Sequence, residues 1–188
     1  MKQLSGLLVE YFVVGAVALL WLVPLLQTYP AFTGTIASKE TGGVVIALTV
    51  PAIYVVGMVC DFLGYWLTHW KKDQIDREAW AKVKKEDPGS QIIHVYAVCY
   101  EPKLAEEIES RSSRDRVARG SLAAFIPVIF VQPVTWPFYL HFAIVAFVTA
   151  CIAMLWYRFQ KLSTKYEVKA AHVLQERHKI NLYSNAQQ

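Results

Sequence analysis

Gly120 to Tyr157 is a run of 38 residues without an aspartate, glutamate, lysine or arginine, and no other stretch limits the fold so severely. A hydrocarbon layer about 30 Å thick takes roughly 20 helical residues, so one straight helix would overshoot it almost twofold. The run has to turn back. Gln132-Pro133-Val134-Thr135-Trp136-Pro137 supplies the turn, with two prolines and an interfacial tryptophan near its middle. Leu7 to Leu26, 20 residues broken only by Glu10, and Gly43 to Cys60, 18 residues without a charge, repeat the membrane signal. In a chain that is 55% hydrophobic and 18% charged, these blocks predict an all-α integral membrane protein. Its four transmembrane helices are expected at about 7–27, 43–69, 118–134 and 137–157. A cleaved signal peptide competes for the first block, but Glu10, Trp21, its length and the lack of a small-residue cleavage site argue against it.

Charge placement sets the sidedness. Lys71 to Arg119 carries 11 Lys and Arg, the tail from Arg158 carries six, and Lys2 precedes the first block. The two other connections share a single cation, Lys39. Under the positive-inside rule both termini and the long middle segment are cytoplasmic, and an even number of spans agrees. The middle segment offsets its 11 cations with ten acids, a net of about +1. Direct nucleic-acid binding is therefore not expected, whereas the basic tail suits a membrane surface. Cys60, Cys99 and Cys151 have no paired spacing and read as small apolar residues.

The segments outside the bilayer read as helical extensions that form a hairpin. Ile75, Ala79 and Val83, with Trp80 beside them, recur on one helical face before Asp87-Pro88-Gly89 stops the helix. A helix continuous from Gly43 to that stop would be about 66 Å long. Gln91 to Tyr100, rich in β-branched and aromatic residues, is expected as a short strand or packed connector. Glu101 to Gly120 returns as a helix beginning near Pro102. Phe159, Leu162, Tyr166, Ala170, Val173 and Leu174 continue the last span as an amphipathic helix to about Ile180, packed on the hairpin, before a frayed end. The expected division is 1–70 for the first two spans, 71–117 for the cytoplasmic hairpin, 118–157 for the last two spans and 158–188 for the C-terminal helix and tail.

Asp61 is the residue that asks for an explanation. It lies ten residues before Lys71, about 15 Å deeper along the helix, where an acid facing lipid would cost about 2.5–3.5 kcal/mol. It should face protein or water, and Gly57 and Gly64 keep that face small enough for a second helix to approach. Glu10 enters the same zone from the first span, and Arg116 and Arg119 reach it from the foot of the third. An ion-pair cluster that fixes helix register and a hydrated path lined by Glu10 and Asp61 both fit this spacing. Arg111 and Arg114 occupy another helical face and could hold an anion, a lipid head group or a partner, although Glu109 and Asp115 offer intrahelical pairing.

The five histidines have no ligand spacing, and no phosphate loop, nucleophile elbow or paired-carboxylate motif occurs. No catalytic, cofactor or metal residues are assigned, and an enzyme is not expected. A lipid-modifying membrane enzyme anchored by the arginines ranks third among the possible functions.

"YVVGMVCDFLGYWL" and "ESRSSRDRVARGSLA" together resemble a pattern in small bacterial inner-membrane proteins of uncharacterised function, in which Gly-x-x-x-Asp ends one span and an Arg-rich helix leads into the next. The matching residues are Gly57 and Asp61, then Arg111, Arg114, Arg116 and Arg119. The size and four-span layout are also similar to membrane subunits of bacterial antiphage systems such as Kiwa. That resemblance implies a homo-oligomer that senses injury or infection with a cytoplasmic protein partner, or that permeabilises the bilayer. The apolar stripes on thin helices point the same way, toward self-association.

Overall fold

The computed structural model describes residues 2–27, 42–83, 87–131 and 137–179. Every regular element among them is helical: α1 (Lys2–Gln27), α2 (Gly42–Val83), α3 (Ser90–Tyr100), α4 (Pro102–Phe125), a 3₁₀ segment (Ile126–Phe130) and α5 (Phe138–His178). The expected turn at 132–136, the connection with Lys39 and the tail 181–188 lie outside the described residues. Three helices are long and apolar enough to cross a membrane, and their candidate segments are Leu8–Gln27, Thr49–Val83 and Phe138–His178.

Within the third expected span, 118–134, the helix changes form. After Phe125 the chain tightens to 3₁₀ geometry, because Pro127 has no N–H to donate to the Ala123 carbonyl and its ring crowds that position. The expected third span is thus α-helical up to Phe125 and 3₁₀ from Ile126 to Phe130, and its end at 132–134 lies outside the described residues. His141 is buried. Its Nε2 lies 3.1 Å from the Val128 carbonyl. That oxygen can only accept, so the ring donates, adding a second bond to a carbonyl that already accepts from the Val131 N–H at 3.1 Å.

Gln91 to Tyr100 is a helix, not a strand. Its β-branched residues favour strands only where a pleated neighbour exists, and here burying Ile93 and Ala97 on one face decides the matter. α5 ends at His178, where Lys179 takes a left-handed φ of 52° and stops the helix two residues before the expected Ile180.

The chain divides into two compact units, Met1–Leu67 with Arg116–Leu155, and Thr68–Asp115 with Trp156–Gln188. In the first, the apolar unit, helices meet backbone to backbone. Gly57 of α2 lies against the carbonyl of Tyr11, and Gly15 of α1 against that of Ile53. A four-residue advance on α1 matches a four-residue retreat on α2, so the two run antiparallel. Gly64 faces the Arg119 carbonyl, where an added Cβ would sit 2.5 Å from the oxygen, and Gly120 of α4 faces Val14 and the Cα of Asp61. Such approach lets Cα–H groups point at facing carbonyls and packs helices where hydrophobic expulsion from water is absent. Val14, Ala18, Cys60 and Ala124 fill the centre. Phe62, Trp66 and Phe147 point outward with about two-thirds of their surface exposed.

The second, the polar unit, has a core drawn from four helices: Trp80, Ile93, Ala97, Ala105, Ile108, Ala170, Ala171 and Leu174. The apolar stripe expected on α2 splits here, since Ile75 and Trp80 are buried while Val83 is 42% exposed. On α5 the burial also departs from the expected stripe. Leu162 is 53% exposed, whereas Gln160, Ser163 and Thr164 are buried.

Candidate functional site

Among the described side chains of the apolar unit, four are charged, and they form two pairs. Arg116 donates to Glu10 from Nε at 2.9 Å and from Nη2 at 3.4 Å. Arg119 donates to Asp61 from Nε at 2.9 Å and from Nη2 at 3.3 Å. Each guanidinium thus grips its carboxylate through two nitrogens, a geometry that a lysine could not reproduce. The Arg119 guanidinium carbon also sits 5.3 Å from the Tyr65 ring centroid, where the ring face favours a cation.

Local sequence explains the placement. Glu10, Val14 and Ala18 share one face of α1, and Gly57, Asp61 and Gly64 share one face of α2. Arg116 and Arg119 are three residues apart on α4, so their side chains leave adjacent turns of the same helix. One reaches α1 and the other α2, and α4 is thereby fastened to both. The residues Glu10 and Asp61 are 7% and 8% exposed. The four formal charges sum to zero, as a low-dielectric setting requires.

Arg111 and Arg114 lie in the polar unit and behave differently. Arg111 donates to Glu107 at 2.8 Å and stacks 4.3 Å from the Tyr166 ring centroid. The intrahelical acid it uses is Glu107, one turn earlier, rather than Glu109. Tyr166 donates its hydroxyl to the same carboxylate at 2.7 Å, and burial together with that bond pushes its pKa up to about 12. Arg114 is exposed.

A polar network inside the polar unit escaped the sequence reading. Thr164 donates to Asp76 at 2.6 Å, and Lys72 reaches the other oxygen of the same carboxylate at 3.1 Å. The Gln160 amide, oriented so that both its ends are satisfied, donates to Asp115 at 2.9 and 3.2 Å. Burial works against the Lys72 ammonium, yet Asp76 outweighs it and raises the pKa. Glu167 completes the group. Burial pushes its carboxyl up to about 7, with Asp76 adding to the rise and Lys72 pulling it back. The available signal was the mixture of Gln160, Ser163 and Thr164 with apolar residues at helical spacing, which marks a face buried through hydrogen bonds.

Among the described residues, no group of three or more His, Cys, Asp or Glu side chains could hold a metal ion. The chemistry this arrangement supports is charge pairing and proton equilibria. Compared with protein-family models, with curated proteins and with solved structures, the chain matches none.

Proposed function

We propose that this chain is a four-span bacterial inner-membrane protein, with both termini cytoplasmic and residues 118–134 completing the fourth crossing. It works as a homo-oligomer that couples a cytoplasmic protein partner or ligand, bound by the polar unit, to the apolar unit. The resemblance to antiphage membrane subunits is the ground for placing that coupling in a defence system.

The observation that carries this reading is the fastening of α4. It begins at Pro102 within the polar unit and ends at Phe125 in the apolar one. Arg116 and Arg119 pin it there to α1 and α2. A displacement of its polar half reaches two membrane helices through two bidentate bonds. α2 and α5 likewise contribute residues to both units without a break in the helix. Val83, Val95, Val98 and Tyr100, all exposed in the polar unit, supply apolar surface for a partner or a second copy.

A pore lined by Glu10 and Asp61 is the rival, and it requires those carboxylates to meet water and ions instead of guanidinium groups. Reconstitution into liposomes separates the two. The coupling reading expects no ion flux from the purified protein and the same from Asp61→Asn. A flux that Asp61→Asn alters in an assembled protein would overturn it. Tags on the two termini should report from the same side of the membrane.

A further inference from the structure

A groove of about 320 Å³ runs between the polar-unit parts of α2 and α5. Its floor is apolar, made by Ile75, Ala79 and Val83 at four-residue steps on α2 and by Tyr157 and Val168 on α5. Its rim is basic. Lys161, Lys165 and Lys169 also follow at four-residue steps, and Lys82 stands on the opposite wall. Against these four lysines the rim has one acid, Glu78, which accepts a hydrogen bond from Gln74 at 3.1 Å. The local balance is three positive charges. Lys161 lies 5.8 Å from the Tyr157 ring centroid, and among the described residues Lys82, Lys165 and Lys169 form no ion pair.

We propose that this groove docks an acidic amphipathic helix of a cytoplasmic partner protein, an assignment that rests on the coupling reading above. Three features select that occupant. The α5 lysines form a ladder about 12 Å long with rungs about 6 Å apart, the repeat at which glutamates four residues apart recur on a facing helix. A single phospholipid head group presents its charge at one point and answers one or two rungs. Between the lysine rows lies an apolar trough, so the complement must carry a hydrophobic stripe beside its acids, as helix-in-groove ligands do.

The stretches 28–41, 84–86 and 180–188 do not fit this groove. Residues 28–41 hold one acid and one lysine, residues 84–86 hold two lysines and one acid, and residues 180–188 hold no acid. The acids of the polar unit's surface are largely engaged within the copy, Glu107 by Arg111 and Tyr166, and Glu101 by Arg177. An acidic partner of another sequence is what remains. Charge pairs at such a rim speed encounter and fix register, while the apolar floor supplies the affinity.

The test uses the full chain in phosphatidylcholine nanodiscs and a fluorescein-labelled synthetic peptide of about 20 residues, long enough to hold a helix. The peptide carries a leucine stripe flanked by glutamates at four-residue steps, and its control is a scramble of the same composition. Fluorescence anisotropy should show binding of the patterned peptide at least about tenfold tighter than the scramble, weakening as salt rises. Lys161→Glu with Lys165→Glu and Lys169→Glu should lower affinity at least about tenfold, and the three Lys→Arg changes should keep it within about threefold. Ala79→Trp fills the floor without touching a charge. It should also abolish binding, which guards against a charge-reversed chain that misfolds. No binding, equal binding of the scramble, or indifference to Ala79→Trp would overturn the assignment. So would phosphatidylglycerol vesicles that displace the peptide with the same lysine dependence, which would make the groove a lipid site. Any of these removes this groove alone; loss of the coupling reading itself would show in the liposome flux, which the groove variants do not touch.

Discussion

The two units handle buried charge in opposite ways. Among the described residues of the apolar unit, each buried carboxylate meets its own guanidinium, Glu10 with Arg116 and Asp61 with Arg119, and these four charges sum to zero. In the polar unit, Asp76, Asp115 and Glu167 share a neighbourhood with Lys72, and burial first, then the excess of acids, raises the carboxyl pKa of Glu167. The difference follows from the surroundings. A lipid-embedded bundle has no water to relax an excess charge, so an unmatched acid must find a cation or stay protonated. A unit bathed in water tolerates an excess because solvent and a proton are both at hand.

The strongest way to break this contrast is to unbalance the apolar unit. Arg119→Gln leaves Asp61 buried without its cation, and losing one partner of such a pair costs about 3–5 kcal/mol. We expect the variant to unfold at markedly lower denaturant in detergent, and Arg116→Gln to do the same through Glu10. Asp61→Asn combined with Arg119→Gln removes both charges and should recover most of the loss. If the double variant is no better than Arg119→Gln alone, the pair is not what Asp61 needs.

Glycine separates the units on a second scale. Gly57→Ala drives a methyl group into the Tyr11 carbonyl, so α1 and α2 must part. An insertion of this kind costs about 1–3 kcal/mol. Gly89 has nothing within 4 Å of an added Cβ, but its φ of 88° is a conformation other residues avoid. Gly89→Ala should cost about 1–2 kcal/mol through the backbone alone. Crosslinking between cysteines placed on α1 and α2 should fall in Gly57→Ala and be unchanged in Gly89→Ala. A drop of equal size in both would mean that close approach does not hold the apolar unit.

Hydrophobic run length made the three long apolar helices legible in the sequence, and the cost of an acid in lipid drew attention to Asp61 before any partner was known. Arg119 could be placed within reach of Asp61, but the acid that Arg116 meets could not be read. Arg116 and Arg119 sit on adjacent turns of one helix, and either could reach either acid until the helix rotation is fixed. The helix at Gln91–Tyr100 was hidden because Ile92, Ile93, Val95 and Val98 carry a strand preference that tertiary burial overrode. The polar face of α5 was hidden for a further reason: Thr164 finds Asp76 88 positions away, and no local pattern announces such a partner. Thr164→Val keeps the shape but strips a hydrogen bond from a carboxylate. It should lower stability by about 1–3 kcal/mol, and calorimetric unfolding in detergent measures it.

A pH-dependent test addresses the other half of the contrast. Glu167 has a folded-state pKa raised to about 7 from an ordinary 4.5, chiefly by burial, with Asp76, Asp87 and Asp115 adding to the rise and Lys72 pulling it down. Between those pH values the folded chain keeps a proton that the unfolded chain has released, so folding stability falls as pH rises through the window and levels off above it. Glu167→Gln cannot ionise and escapes the decline. We expect its melting temperature, followed by tryptophan fluorescence in detergent, to exceed that of the parent at about pH 8 and to converge with it toward about pH 4.5. Introduced into Arg119→Gln, the same change should leave the apolar unit's deficit untouched. A variant that melts lower than the parent at the alkaline end would mean that Glu167 is held ionised by a cation, and that the polar unit balances its charges as strictly as the apolar one.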